Sequence, residues 1–328
     1  MNLEEFRFSF REHRGAFAAA AMFVVIFALF IAKYQTGWTV PVITTAANKG
    51  VLLAIVAMAQ TLPVLTAGID LSVGMVFVLA NCLASHLVVG TPAQAALGIV
   101  VVLAVGTLCG LINGLIIVYG RLQPIITTMA TGTIYFGLAL ALRPVPGGGV
   151  QEDLADLLTG AQLGGIPSSV LVLVAIVVLV WMPYRRSTIG RAALAIGSAE
   201  GAAYMSGVPI NRTKVFAYAL SGLLASLGGL FLTFITYSGE ASMALGGSYT
   251  LSSIAAVVIG GTSLAGGAGS AIGSIFGSFV LRTIGDLLFV FDLEPLWQPL
   301  FQGVILLVAV SLGSLQLLKL RNRLDMFK

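Results

Sequence analysis

The chain has 328 residues, 58 % of them hydrophobic and only 9 % charged, against about 25 % charged in a soluble domain. With a mean hydropathy of +1.02 and 39 glycines, this excludes a soluble globular enzyme, a disordered chain and a nucleic-acid binder. What remains is an all-α, polytopic transmembrane helix bundle, whose net charge of +4 belongs to cytoplasmic loops and lipid headgroups.

The N-terminal segment carries Arg7, Arg11 and Arg14, followed by an apolar run over about 16–32. That run is longer than a signal-peptide core of roughly 7–15 residues and is followed by Lys33 and Tyr34, so it reads as a retained first span. Residues 6–10 are placed along the inner headgroup layer. A crossing helix needs about 20 apolar residues. By that measure ten spans are expected, near 16–33, 46–66, 71–90, 94–118, 124–142, 167–184, 213–238, 250–265, 270–291 and 296–315. They form one transmembrane domain over 1–328. An acidic outer loop covers about 144–166. A basic, alanine-rich inner loop covers about 185–212 and is expected to form one or two short cytoplasmic helices, with Gly207 as a C-terminal stop.

Lysine and arginine counting sets the orientation. With the N-terminus inside and the spans alternating, Arg7, Arg11, Arg14, Arg121, Arg185, Arg186, Arg191, Arg212, Lys214, Lys319, Arg321, Arg323 and Lys328 all fall on the cytoplasmic side, 13 of the 17 basic residues. The expected topology is therefore N-in and C-in.

Gly106, Gly110 and Gly114 in span four repeat the spacing of Gly269, Gly273 and Gly277 at span nine. Small residues so spaced let helix backbones approach closely. Spans five apart cross in opposite directions, as a five-plus-five inverted repeat requires; ordinary glycine packing accounts for the pattern equally well.

Between spans two and three lies Gly68-Ile69-Asp70-Leu71-Ser72-Val73-Gly74. Its glycines allow a break, and Asp70 or Ser72 is placed to cap the next helix; the alternative is a broken-helix element beside a transport path. Gln60, Thr61, Asn81 and Asn113 are candidate path residues. Arg282 and Asp286, four apart, share a helix face and can pair within it, while Arg143 sits where snorkelling places a basic residue. Cys82 and Cys109 read as small packing residues. The chain has no P-loop, no H-E-x-x-H and no nucleophile elbow. It also has too few intramembrane acids for an ion-driven carrier, so its energy source is expected to be another chain.

These residues resemble the permease subunits of bacterial ABC importers for monosaccharides of the ribose, xylose and galactofuranose type. The heptapeptide GIDLSVG at 68–74 carries the resemblance furthest. It is joined by Ala59-Gln60-Thr61, by Gly110–Gly114, by Pro124–Thr128 with Gly132-Thr133, and by Gly190–Gly207. The run from Ala255 to Leu264 with Gly266, Gly267 and Gly269 completes it. Gly201 beside Glu200 and the Gly147–Gly149 stretch depart from the family pattern.

The resemblance implies a multi-pass inner-membrane permease with no ATPase site and no cofactor of its own, ATP being bound by a partner subunit. Its expected partners are that ABC ATPase, a second permease (a second copy or a similar chain), a periplasmic sugar-binding protein and the lipid bilayer; nucleic acid is not among them. The resemblance also implies a coupling loop engaging the ATPase through Arg191, Glu200, Gly201, Ala202, Ala203 and Gly207. The alternative function is an ion-coupled secondary sugar transporter.

Overall fold

The computed structural model describes residues 14–34, 38–162 and 164–292, with isolated positions between 297 and 311. The helices are α1 (Arg14–Lys33), α2 (Val40–Leu65), α3 (Val73–Leu87), α4 (Pro92–Tyr119), α5 (Pro124–Leu142) and the short α6 (Glu152–Thr159). The sixth span is continuous but composite: α7 (Ser168–Ile176), a π-helical turn (Val177–Trp181) and α8 (Met182–Arg186). Then come α9 (Thr188–Ser198), α10 (Glu200–Met205), α11 (Ile210–Thr236), α12 (Met243–Ile259) and α13 (Ala271–Val290). Seven of these stretches are long and apolar enough to cross a membrane, and α3 and α12 are shorter apolar helices. They match the first nine expected spans. The tenth, near 296–315, falls largely outside the described residues, as do residues 6–10 and the basic residues at both ends of the chain.

Helix starts follow from local chemistry. Pro92 opens α4, with Thr91 and Gln94 forming a reciprocal capping box, and Pro124 opens α5. Proline lacks an N–H that would be unpaired there in any case. Ser187, Ser242 and Ser270 accept first-turn amides at α9, α12 and α13.

The bundle is organised around α2 and α11. Their most apolar stretches are 61 % and 67 % buried, against 11 % for α1, which places α1 at the rim. α11 packs along α4, α3 and α2, while α13 packs along α2, α1 and α12. Gly106, Gly110 and Gly114 all face α11: a methyl group at Gly110 would lie 2.1 Å from the Tyr218 carbonyl oxygen, and one at Gly106 would lie 2.2 Å from Ser226 Cβ. Gly222 on α11 meets Gly106 and Gly110 in return. Gly273 and Gly277 face Gly260 and Ala256 at the end of α12. Gly269 departs from the expected stripe. It precedes α13, has φ +139, and lies against Thr262 within the connecting loop, because Ser270 caps a helix that begins only at Ala271.

The two long loops lie at opposite ends of the bundle. The α9 helix sits at the Leu65 end of α2. At the other end, the Asn48 amide donates to the Thr159 carbonyl of α6 at 2.9 Å. Asn48 and Leu65 are 17 positions apart on α2, about 25 Å along the axis. The 144–166 segment joins the bundle there through a bridge between Gly147 and Gly239. Arg143 does not snorkel outward: its Nη2 donates to Ser85 Oγ at 3.0 Å, beneath Gly148. That contact gives a partly buried guanidinium an acceptor within the protein.

The α4–α11 crossing gives a direct test. Gly110→Val and Gly222→Val force backbones apart and should each destabilise the protein by about 1–3 kcal/mol, read as a lower unfolding midpoint in detergent. Gly137→Ala, on α5 with open space around it, should leave the midpoint unchanged or slightly higher.

Candidate functional site

The turn joining α2 to α3 is the most heavily bonded polar element of the bundle. Asp70 is 2 % exposed. Its Oδ1 accepts from the Ser72 amide at 2.9 Å and from the Ser72 hydroxyl at 2.6 Å. Asn113 of α4 donates to Ser72 Oγ at 2.8 Å, and Tyr135 of α5 donates to Asn113 Oδ1 at 3.1 Å and lies within 2.9 Å of the Cys109 carbonyl. With its amide oriented to satisfy both groups, Gln60 of α2 donates to the Asp70 carbonyl at 2.8 Å and accepts from the Asp70 amide at 3.3 Å. Thr128 of α5 accepts from the Leu71 amide, and Thr250 of α12 accepts from the Gly74 amide.

One turn is thus fastened to α2, α4, α5 and α12. Asp70 lies outside both flanking helices. Burial pushes its carboxyl above the ordinary carboxylate range, and the Ser72 hydrogen bonds pull the other way.

This arrangement corrects the capping expectation. Neither the Asp70 nor the Ser72 side chain accepts a first-turn amide of α3; Asp70 Oδ1 takes only the Ser72 amide just ahead of it. Thr250 from the neighbouring helix serves Gly74 instead, because Gly74 lets α12 approach: a methyl group there would lie 1.9 Å from the Gly246 carbonyl oxygen. Gly68 lies under the Tyr218 hydroxyl, 2.5 Å from the position of a Cβ.

The candidate path residues are also placed differently from expectation. Gln60, Thr61, Asn81 and Asn113 are each at most 1 % exposed. Thr61 is bonded to the Ala57 carbonyl and Ser274. Asn81 donates to Thr233 and the Ser238 carbonyl and accepts from the Glu240 amide. Their polar groups are used up in fastening helices together, so within one chain they line no open cavity. Cys82 and Cys109 are buried and free.

The 185–212 loop forms the second part of the site. α9 and α10 are the two short helices expected there, and Gly207 ends α10 at φ +74, with the Val208 amide returning to the Ala203 carbonyl. α9 presses directly on the membrane bundle. A methyl group at Gly197 would lie 2.1 Å from the Leu65 carbonyl oxygen and 2.2 Å from Gly267 N, and one at Gly266 would lie 2.7 Å from Ala67 N. The Gly267 amide also donates to the Leu65 carbonyl at 3.2 Å. Three segments therefore meet at one point: the end of α9, the entry to the 68–74 turn, and the loop ahead of α13.

On α10, Glu200 is not free. Lys214 of α11 donates to both its carboxylate oxygens at 2.8 Å. Ala203 faces inward, at 5 % exposure, while Tyr204 and Met205 stand out at 72 % and 86 %. Arg191, Gly201 and Ala202 are exposed. A cavity of about 270 Å³ lies between this loop and the turn, bordered by Gly68, Arg121, Glu200, Lys214 and Tyr218.

Sequence reasoning missed a second cavity, of about 600 Å³, at the opposite end, between α1, α2, α12 and α13. Asp286 on its wall pairs with Lys49 of α2 at 2.8 Å, not with Arg282 as helical spacing suggested. Arg282 instead lies over the Tyr249 ring, 4.7 Å from its centre. Lys49 inside span two was the readable signal, since a lone cation in an apolar helix calls for a partner.

The polar turn predicts a coupled energy. Ser72→Ala leaves the buried Asp70 carboxyl and the Asn113 amide each short of a partner and should cost about 1–3 kcal/mol. Ser72→Ala and Asn113→Ala should be markedly non-additive in a double-mutant cycle of unfolding midpoints, by about 0.5 kcal/mol or more.

The chain is similar to a ribose import permease protein of Haemophilus influenzae, 36 % identical over 263 residues that cover 78 % of this chain and 80 % of that protein. It is equally identical to a Sinorhizobium fredii protein described as a "probable ABC transporter permease", over 80 % of this chain and 78 % of the other. A fructose import permease protein of Rhizobium meliloti is 34 % identical over 80 % of this chain and 75 % of its own length. No solved structure matches the chain. Residues 42–310, which contain the polar turn, the inner loop and both cavities' central helices, match the family described as the branched-chain amino acid transport system / permease component, and the chain belongs to that family of membrane transport permeases.

Proposed function

We propose that this chain is the membrane-spanning permease of an ATP-driven importer that brings a monosaccharide across the bacterial inner membrane. The cargo class is supported by relatives named for ribose and fructose import. The observation that carries the mechanism is the junction of α9 with Leu65, Ala67 and the Gly266–Gly267 turn. No methyl group fits between these segments, so a push on α9 reaches the 68–74 turn and α13 without slack; close-packed contacts pass displacement on instead of absorbing it.

The partner that pushes is an ABC ATPase subunit. Tyr204 and Met205 offer it an exposed aromatic and an exposed thioether, the side chains favoured at the centres of interfaces. The Glu200–Lys214 pair fixes α10 against α11. ATP-driven closure of the ATPase moves α9 and α10, and the fastened turn carries that movement to α2, α4, α5 and α12. Two permeases form the path, so substrate contacts arise between chains, consistent with the internal use of Gln60, Thr61, Asn81 and Asn113. A periplasmic sugar-binding protein delivers the cargo at the 144–166 end.

The test is purification of tagged chain from native membranes, together with uptake of labelled sugars into vesicles. A P-loop ATPase should co-purify, and uptake should require ATP. Met205→Asp with Tyr204→Ala should weaken ATPase binding by about 2 kcal/mol, roughly 30-fold, and abolish uptake while the protein remains folded. Sugar uptake by the chain alone, without ATP, would replace this reading with a secondary carrier.

A further inference from the structure

The 600 Å³ cavity holds a charge arrangement that the bundle does not complete by itself. Among the described residues, three charged side chains border it: Lys49, Arg282 and Asp286. Lys49 and Asp286 neutralise each other at 2.8 Å. Arg282 is left over. Its guanidinium rests on Tyr249, which also stacks on Phe77 with ring centres 4.6 Å apart. Arg282 Nε and Nη2 are buried and have no hydrogen-bond partner among the described residues. Those two nitrogens form the side edge of the guanidinium, the edge that grips carboxylate or phosphate oxygens in pairs.

A ring face offsets part of a cation's desolvation but satisfies no N–H donor. In an apolar bundle, an arginine left in this condition is expensive. Asp286 is four residues away on the same helix and within reach, yet it is held by Lys49. The cavity therefore carries one surplus positive charge. It is also of the size that ligand pockets have, and Lys49 is half-exposed at its edge, which gives a charged ligand an entry. Tyr34 and Phe289 complete its rim, and the exposed Trp38 lies nearby, against Phe27. Tyrosine and tryptophan mark the depth of the lipid headgroups.

We infer that this cavity is a binding site for a phosphate-class oxyanion, which bridges Lys49 and Arg282 and takes the place of the Tyr249 face as the guanidinium's partner. The same chemistry is presented by a phospholipid headgroup and by a soluble phosphate. The inference does not rest on the transport reading: it needs only the cavity and its charges.

The full chain, delipidated in dodecyl maltoside, a detergent without phosphate, tests it by thermal unfolding. Phosphatidylglycerol is introduced in one arm and inorganic phosphate in another, with sodium chloride matched for ionic strength as the control. In at least one arm the midpoint should rise by about 3 °C or more. The rise should vanish in Arg282→Gln and in Lys49→Gln. It should persist in Asp286→Asn, which removes the competing carboxylate. A response to phosphatidylglycerol alone assigns the site to lipid, and a response to phosphate alone assigns it to a soluble anion. No rise in either arm, or a rise that Lys49→Gln leaves intact, overturns the inference. Lys49 is half-exposed, so its variant stays informative if Arg282→Gln fails to fold.

Discussion

The structure depends on a buried carboxylate that must be given partners. Asp70 sits at 2 % exposure in a turn between two apolar helices, where water cannot serve it. The carboxyl is met by Ser72 in the turn, Ser72 by Asn113 on α4 and Asn113 by Tyr135 on α5, while Gln60 on α2 serves the Asp70 backbone. The cost of leaving any one group unpaired is about 1–3 kcal/mol, which makes the set act together. A turn held in this way cannot shift alone. Whatever displaces it displaces the helices bonded to it.

This constraint explains why the contact with α9 matters. Alanine and glycine dominate α9 and the loop ahead of α13, and the reason is spatial. The Leu65 carbonyl accepts from the Gly267 amide and leaves no room for a side chain at Gly197. Glycine at 266 and 267 also takes positive φ, +86 and +73, where side chains are strained. A flexible linker would need none of this. The loop is built as a rigid contact between a solvent-facing helix pair and the bundle.

Much of this was legible in the sequence, for identifiable reasons. Runs of apolar residues located nine helices, most of their ends to within a few residues but the one at Met243–Ile259 six or seven residues late, because a helix in lipid must satisfy its own backbone. The two short helices of the inner loop followed from alanine content and Gly207. Partners were harder to read. Glycine spacing marked Gly106, Gly110, Gly114, Gly273 and Gly277 as close approaches, but it could not say that the first three meet α11 and the last two meet α12. Under a five-plus-five exchange of halves, α4 on α11 corresponds to α13 on α2, and both pairs pack. The stripes themselves do not correspond under that exchange. Charge spacing misled for a related reason: Arg282 and Asp286 are neighbours on one helix, but Lys49 on another offered Asp286 the shorter contact, and no pattern along a single helix reveals that.

Several of the buried polar residues answer one physical constraint. α3 has 15 residues and α12 has 17, about 22 and 26 Å of helix, shorter than a hydrocarbon core of about 30 Å. Their ends therefore lie at depths where unpaired backbone groups have no water, and the protein must supply the partners. Thr250 serves the Gly74 amide at the start of α3. At its other end, the Gly149 and Gln151 amides serve the Ser85 and Val88 carbonyls. Asn81 does the same for the chain between α11 and α12, taking the Glu240 amide and the Ser238 carbonyl. Polar residues inside an apolar sequence suggest a route for cargo. In this bundle Asn81 and Thr250 instead pair backbone groups beside short helices, Gln60 pairs the backbone of the Asp70 turn, and Thr61 and Asn113 bond side chains across helices.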